Sequence, residues 1–265
     1  MRARSKILIN TPDIELWPGG LLRGRSNADA RTLSQARQVL RRKRDGRYLA
    51  AILPQGLVPL ITRFEHETGL DAALRALRTG QAQGRSAGAE RVGHLPLDRL
   101  QERLEVIGLD AGYAESTGLS LVPEPDRLAF AGLDRYRRPL WLHSDAARAW
   151  EHMRQAALRD GVVLEAISGY RSHAYQLGIF ERKLARGLDV ADILRVNAAP
   201  GYSEHHSGRA LDIGAPGEPP AEESFEDSAA FAWLIDHAAG YGFIMSYPRD
   251  NPHGIAYEPW HWRHG

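Results

Sequence analysis

The stretch GYSEHHSGRALDIGAP, residues 201–216, places two adjacent histidines and an aspartate within one short segment. The chain has 11 histidines and no cysteine, so any metal site must be built from histidine, carboxylate and water ligands. The part RALDIGAP (209–216) alternates in the manner of a strand. The segment therefore predicts a turn that enters a strand, and it raises the question of which histidine faces a ligand.

His205 and Asp212 both offer atoms that bind Zn²⁺. They are seven residues apart, an odd offset that would put them on opposite faces of a straight strand. The Ser207-Gly208 pair between them can supply a bend. Two ligands do not hold a catalytic zinc ion well, so a third ligand must come from elsewhere in the chain.

The C-terminal segment YEPWHWRHG (257–265) is the other dense group of chemically active side chains. His261 would complete a His-Asp-His set that leaves one zinc position for water. Glu258, three residues earlier, is placed to take a proton from that water. Residues three apart in a straight strand point to opposite faces, so Glu258 and His261 can share a site only if the strand is distorted between them. Pro259 restricts the backbone of Glu258 and could provide this distortion, so we predict an irregular backbone at this point.

Four spaced blocks carry a family resemblance. The pattern S-x-H-x-x-G-x-A-x-D is present in residues 203–212, with SGYRSHAYQ (168–176) upstream and GFIMSYP (242–248) and YEPWHWRHG downstream. In this order the blocks resemble the VanY-type D-alanyl-D-alanine carboxypeptidases, which belong to a group of zinc peptidases that includes lysostaphin-like and hedgehog-like domains. The resemblance covers roughly residues 120–265.

The resemblance implies one zinc ion held by His205, Asp212 and His261, with Glu258 as the catalytic base. It leaves His206 out of register, as a residue behind the ligands or at the surface. It also implies that Arg171 stabilises the charge that develops on the scissile carbonyl, a role that suits a fixed guanidinium in a dry site.

Four further residues are predicted to bind substrate. Gln176 and Ser203 match positions that orient the substrate in the family, although a helix surface and a turn would explain them as well. Tyr170 and Trp260, together with Trp262, are predicted as pocket walls or as core aromatics. His253, in the turn before the last strand, is a weaker candidate for the rim.

The fold class predicted for the chain is α+β. Helices and short strands mix without a regular βαβ pattern, which favours this class. A small, mainly antiparallel sheet flanked by helices is expected to carry the zinc site. Helices are predicted over 144–161, with Ser144 as N-cap, and over 174–187 and 228–242. Strands are predicted over 162–172, 209–216, 242–248 and 255–265.

The N-terminal region, residues 1–119, carries no motif that we recognise and is predicted to be mostly helical. Helices are expected over 27–46, 57–79 and 95–109, and the Gly- and Ala-rich stretch 80–93 reads as a flexible linker. The zinc carboxypeptidase domain is then expected over 120–265. The role of residues 1–119 stays open between a regulatory cover, a binding module and an extension that restricts the substrate.

Composition narrows the classes of partner. Lys and Arg number 34 against 33 Asp and Glu, so charge gives no case for nucleic-acid or membrane binding. A basic run, 41–44, reads as a solvated helix end. The apolar stretch 48–61 is too short to cross a bilayer and contains two prolines. Since no secretory signal is recognisable, we expect a cytoplasmic protein, or one of the periplasm or cell envelope if the start is misassigned.

The function expected from these features is removal of C-terminal D-alanine from a peptidoglycan stem peptide or precursor. Alternatives of the same fold are an L,D-carboxypeptidase and a lytic endopeptidase. A zinc-containing binding domain without catalysis is the alternative from another class, but it would need neither Glu258 nor Arg171. A purely structural protein predicts no pocket that joins Arg171, Glu258 and the three ligands. The oligomeric state is left open.

Overall fold

The computed structural model describes residues 6–24, 26–83, 92–107, 109, 111–195 and 198–265. The chain divides into two compact units, one formed by Met1–Leu95 with Pro125–Ala129 and the other by Pro96–Glu124 with Phe130–Gly265. This division differs from a boundary at residue 119/120, because residues 96–119 belong with the C-terminal unit. The predicted linker 80–93 lies largely outside the described residues.

The first unit is built on an antiparallel meander. Successive strands pair as neighbours, and the first residues of the sixth strand pair with the first strand. Two helices accompany the sheet, and the core contains Ile14, Leu16, Leu40 and Leu49. The elements are β1 (Ile7–Asn10), β2 (Ile14–Pro18), α1 (Asn27–Gln35), β3 (Gln38–Arg42), β4 (Tyr48–Leu53), β5 (Gly56–Pro59), α2 (Leu70–Gln83) and the start of β6 (Arg127–Leu133).

The prediction of a mostly helical N-terminal region is wrong for residues 7–59. The helix expected over 27–46 ends at Gln35, and the helix expected over 57–79 is present only from Leu70 onward, in α2. The physical reason is long-range pairing: β3 lies between β2 and β4, so its backbone groups find partners on both sides. This pairing outweighs the weak helix propensity of the segment.

The basic run 41–44 is not a solvated helix end, because it begins at the end of β3 and directs charge inward. Arg41 Nη1 donates to Glu15 Oε2 at 2.7 Å. The ammonium group of Lys43 is buried and donates to the Thr11 carbonyl oxygen at 2.9 Å. The run therefore stabilises the first unit and does not form an open cationic surface.

The second unit combines a small sheet with most of the helices. The α+β class predicted for the chain is confirmed. Its elements are α3 (Asp98–Val106), α4 (Ala111–Thr117), the end of β6, β7 (Pro139–Leu142), α5 (Ser144–Arg159), β8 (Glu165–Ser168), α6 (His173–Leu184), α7 (Val190–Arg195), β9 (Ala210–Gly214), α8 (Ala229–His237), β10 (Phe243–Met245) and β11 (His261–His264).

The four-stranded sheet has the order β10-β11-β9-β8, and every neighbouring pair is antiparallel. All five residues of β9 are buried, as expected for an inner strand covered on both faces. The register sets His261 of β11 directly opposite Asp212 of β9. The sheet therefore brings together two segments that are 49 residues apart in the chain.

Helices pack against this sheet much as predicted, with shorter ends. The apolar stripe of α5 is buried, but its N-cap is His143 and not Ser144, because the His143 ring accepts from the Asp145 amide. Helix α8 ends at His237, five residues before the predicted end at residue 242, and the chain continues as a 3-10 turn. Among the described residues, no helix combines the length and the apolarity that crossing a membrane requires.

Helices α3 and α4 share a core with α6 and α7. The buried members of this cluster are Leu100, Leu104, Leu109, Leu177, Phe180, Ile193, Ala199 and Tyr202. The Tyr113 and Tyr202 rings also meet edge to face, 4.9 Å apart. Helices α3 and α4 thus pack into the second unit.

Candidate active site

Local backbone geometry directs the three predicted metal ligands to one point. His205 lies on a 3-10 turn, Glu204–Ser207, which ends at Gly208 in the left-handed region with φ of 68°. This conformation favours glycine, and it provides the predicted bend before β9. Asp212 then points from β9 toward His261, its partner across the sheet.

His205, Asp212 and His261 are buried, and each offers one ligand atom within 4.8 Å of the others. The Nε2 atom of His205 lies 3.2 Å from Asp212 Oδ1. The Nδ1 atom of His261 lies 3.1 Å from the same oxygen. Three buried groups of the types that bind zinc therefore converge on one point.

The hydrogen bonds of His205 test whether a cation fits this point. Its Nδ1 atom lies 2.7 Å from the Gly169 carbonyl oxygen, which can only accept, so Nδ1 carries the proton. The Nε2 lone pair then faces the Asp212 carboxylate, and Nε2 is buried without a hydrogen-bond partner. A lone pair next to a carboxylate in a buried site calls for a positive charge between them, so the donor set fits a divalent metal ion.

Ionisation of the two histidines follows from their partners. Burial, helped by the positive charge of Arg171, lowers the pKa of His205 to about 4, which keeps its ring neutral and able to bind metal. Burial also opposes charge on His261, but hydrogen bonds to Asp212 and Glu204 outweigh it and raise the pKa to about 9. A metal ion at this point would compete with that proton.

Glu258 lies in a turn before β11. The His261 amide donates to the Glu258 carbonyl oxygen at 3.1 Å, so the irregular backbone predicted here is confirmed. Its Oε2 atom is 3.8 Å from His261 Nδ1. Burial, with repulsion from Asp212, raises the pKa of the Glu258 carboxyl to about 7. Such a group can take up and release a proton near neutral pH.

Arg171 lies on the loop between β8 and α6. Its amide donates to the His205 carbonyl oxygen at 3.2 Å, and its Nη2 atom donates to Asp212 Oδ2 at 3.2 Å. The buried Nε atom has no hydrogen-bond partner. Arg171 is thus held beside the ligands with donor capacity to spare.

These groups border one pocket with about 350 Å³ of empty space. The pocket is lined by Arg171, Gln176, Ala198, Ser203, His205, Tyr247, Ile255, Glu258 and His261. Arg171, His205, Glu258 and His261 all line this pocket. The fifth predicted residue, Asp212, contacts three of these four. The geometry therefore weakens the purely structural alternative.

Two of the four predicted substrate-binding residues border this pocket, namely Gln176 and Ser203. The Nε2 atom of Gln176 donates to the Ala198 carbonyl oxygen at 3.0 Å. Its Oε1 atom is buried without a hydrogen-bond partner, so it remains available to accept from a ligand.

The predicted wall aromatics lie elsewhere. Among the described residues that line the pocket, Tyr170, Trp260 and Trp262 are absent. The Tyr170 hydroxyl donates to the buried Glu124 carboxylate. Trp262 is buried, and its Nε1 atom donates to the Pro259 carbonyl oxygen at 3.0 Å.

His206 is fully buried and behind the ligands, not at the surface. Its Nδ1 atom donates to the Arg171 carbonyl oxygen at 2.7 Å, and its Nε2 atom accepts from the Gly201 amide at 3.0 Å. Both ring nitrogens are therefore engaged with the backbone. His253 is half-buried and lies 2.8 Å from the Thr117 carbonyl oxygen, and it is not among the pocket residues.

Glu204 is the site residue that sequence reasoning missed. Its Oε2 atom lies 2.9 Å from His261 Nε2 and accepts a hydrogen bond from it, while His261 Nδ1 faces Asp212. Burial opposes its charge, but the contact with His261 outweighs this and lowers the pKa of Glu204. The available signal was its place directly before His205. Tyr247 was also missed as a wall, although its ring lies 4.8 Å from that of His261.

The second unit thus carries a pocket with a candidate metal centre on its sheet. The family profile "VanY: D-alanyl-D-alanine carboxypeptidase" matches residues 139–265. VanXYC of Enterococcus gallinarum, a bifunctional D-Ala-D-Ala dipeptidase and D-Ala-D-Ala carboxypeptidase, is 33% identical over 147 residues, which are 53% of this chain and 75% of that protein. The chain belongs to the VanY family of D-alanyl-D-alanine carboxypeptidases.

Two further similarities have lower coverage. YodJ of Bacillus subtilis (strain 168) is 38% identical over 129 residues, which are 47% of this chain and 46% of YodJ. A solved structure of the LdcB LD-carboxypeptidase is 35% identical, with a TM-score of 0.45, and the match covers 47% of this chain and 59% of LdcB. The chain thus spans less than half the length of YodJ.

Proposed function

We propose that this protein is a zinc-dependent D,D-carboxypeptidase that removes C-terminal D-alanine from peptidoglycan stem peptides or their precursors. The observation that carries the proposal is the convergence of His205, Asp212 and His261 beside Glu258 and Arg171 at one pocket. Membership of the VanY family supports the reaction class. The relative VanXYC is named for two activities on D-Ala-D-Ala.

His205 Nε2, one oxygen of Asp212 and His261 Nδ1 are the atoms that we assign to one zinc ion. When bound, zinc supplies Lewis acidity that polarises a carbonyl group and lowers the pKa of a bound water. Glu204 accepts a hydrogen bond from His261 Nε2 and so fixes the ring orientation, as carboxylates commonly do for metal-binding histidines.

Glu258 is the group that we assign to proton transfer. Its carboxylate accepts a proton as a water oxygen bonds to the carbonyl carbon of the terminal peptide bond. It then delivers that proton to the leaving amine nitrogen as the carbon–nitrogen bond breaks, which regenerates the carboxylate. A pKa of about 7 suits both directions of this transfer.

Arg171 and Gln176 complete the assignment. The Arg171 guanidinium stabilises negative charge on the carbonyl oxygen during attack, where a fixed donor in a partly desolvated site is most effective. The unpaired Oε1 atom of Gln176 accepts an N–H group of the substrate, and Ser203 contacts the peptide beside it.

The test is product analysis by mass spectrometry with zinc-loaded protein. We expect one alanine to leave a stem pentapeptide ending in D-Ala-D-Ala, while the tetrapeptide stays intact. Glu258→Gln should retain zinc and lower the rate by about 10²–10⁴-fold. Glu102→Gln, an exposed change of the same kind on α3, should behave like the wild type.

Each other outcome would indicate a different function for this protein. Loss of alanine from the tetrapeptide would indicate an L,D-carboxypeptidase, and cleavage within cross-linked stems would indicate a lytic endopeptidase. Tight zinc binding without turnover of any stem would indicate a non-catalytic binding domain. An unchanged rate in folded Glu258→Gln would contradict the assigned mechanism.

A further inference from the structure

Glu124 is a buried carboxylate that precedes the family match at residue 139, and it belongs to the second unit. Burial of a carboxylate is unfavourable unless donors surround it. Two of its donors, the Tyr170 hydroxyl and the His173 amide, lie on either side of Arg171, where the loop after β8 enters α6. Glu124 therefore contacts the segment that carries the active-site residue Arg171.

The Glu124 carboxylate accepts hydrogen bonds from residues on both sides of Arg171. Tyr170 donates its hydroxyl proton to Glu124 Oε2, and the His173 amide donates to Glu124 Oε1 at 2.9 Å. The His173 ring lies along the same segment, with Nδ1 3.2 Å from Oε1 and Nε2 2.8 Å from the Val122 carbonyl oxygen. Residues 122–124 thus hold the loop through four polar contacts.

A second set of hydrogen bonds links the Arg171 main chain to Val122 through His206 and Gly201. His206 donates to the Arg171 carbonyl oxygen at 2.7 Å and accepts from the Gly201 amide at 3.0 Å. The Gly201 carbonyl oxygen in turn accepts from the Val122 amide at 2.7 Å. The main chain of Arg171 is therefore held between two anchored segments.

We propose that Glu124 is a positioning residue that acts through Arg171, so that a residue before the segment matched by the family profile contributes to the reaction. The inference rests on the proposed function. A guanidinium that stabilises a developing oxyanion must be placed to within a fraction of an ångström. A shift of about 1 Å can lower a rate by about 10²-fold.

The experiment is a double-mutant cycle on the full-length, zinc-loaded protein, with release of D-alanine from the stem pentapeptide as the readout. Glu124→Ala should lower kcat/KM by about 10–100-fold in the wild-type background. In the Arg171→Ala background the same change should have less than about a twofold effect, because the residue through which it acts is gone. An equal loss in both backgrounds, or no loss in the wild type, would overturn the inference.

Asp134→Ala is the matched control. Asp134 is also buried in the second unit; it accepts from the amides of Tyr136 and Arg138 and from the Arg138 side chain, and none of these donors belongs to residues 169–173. It should therefore change kcat/KM by the same factor in both backgrounds. If Glu124→Ala does not fold, Glu124→Gln, which keeps an acceptor of the same length, takes its place in the cycle.

Amide hydrogen exchange separates this inference from the proposed function. The His173 amide should exchange faster in the Glu124 variant than in the wild type, and Asp134→Ala should leave it unchanged. If the wild type releases no alanine from any stem peptide, the proposed function fails, and faster exchange still supports the tether. Unchanged exchange at His173 in a folded Glu124 variant would contradict it.

Discussion

In the first unit, the buried carboxylate of Glu15 accepts from Arg41 and from the Trp17 indole, each at 2.7 Å. In the second unit, the buried Nε2 atom of His205 has no hydrogen-bond partner, and neither does the Nε atom of Arg171. Folded proteins pair nearly all their buried polar atoms, because an unpaired one carries its full desolvation cost. The contrast indicates that the first arrangement stabilises the fold, whereas the second is completed by a ligand.

The largest effect that would test this comparison is expected at Arg171. Arg171→Ala removes the donor assigned to the developing oxyanion, so kcat should fall by about 10²–10³-fold. Zinc content should change little, since the residue is not a ligand. Steady-state kinetics with metal analysis measures both, and a normal kcat would mean that the unpaired donor has no part in the reaction.

A smaller effect is expected at His206, whose ring nitrogens are both engaged with the backbone. His206→Ala leaves the Gly201 amide and the Arg171 carbonyl oxygen unpaired beside a cavity, so the free energy of unfolding should fall by roughly 2–4 kcal/mol. Denaturant unfolding of the zinc-loaded protein measures this. One zinc ion per chain should remain; its loss would mean that the adjacent histidines share the ligand role.

The smallest effect is expected in the first unit, at Glu15. Glu15→Ala removes the carboxylate that accepts from the Trp17 indole N–H and from Arg41 Nη1. This should lower the free energy of unfolding by about 1–3 kcal/mol. Carboxypeptidase kinetics should stay within about twofold of the wild type under folding conditions. A large loss of kcat would show that this buried carboxylate serves more than stability.

Features that depend on neighbouring residues could be predicted from the sequence, whereas features that depend on residues distant in the chain could not. The bend at Gly208 and the irregular backbone at Glu258 depend on neighbouring residues, so the local sequence contained the information. Strand β3 was predicted as helix because its place depends on β2 and β4, which lie elsewhere in the chain. The contact of Glu204 with His261 spans 57 residues, and no spacing rule anticipates it.

The wall aromatics show the same limit from the other side. Tyr170, which directly precedes Arg171, was predicted as a pocket wall or a core aromatic. Its hydroxyl instead turns to Glu124, 46 residues earlier, which local reasoning had no means to identify. The family resemblance thus supplied the predicted ligand set, while the groups that hold these side chains in position could be recognised only from the fold.

The central claim, that a metal ion completes the unpaired groups around His205, is tested most directly by measuring zinc per chain. Metal-stripped protein would be titrated with zinc beside His205→Ala and, as the matched neighbour, His206→Ala. The account predicts one tightly bound zinc ion in the wild type and in His206→Ala, and its loss in His205→Ala. No zinc binding by folded wild type, or unchanged binding by His205→Ala, would contradict the account.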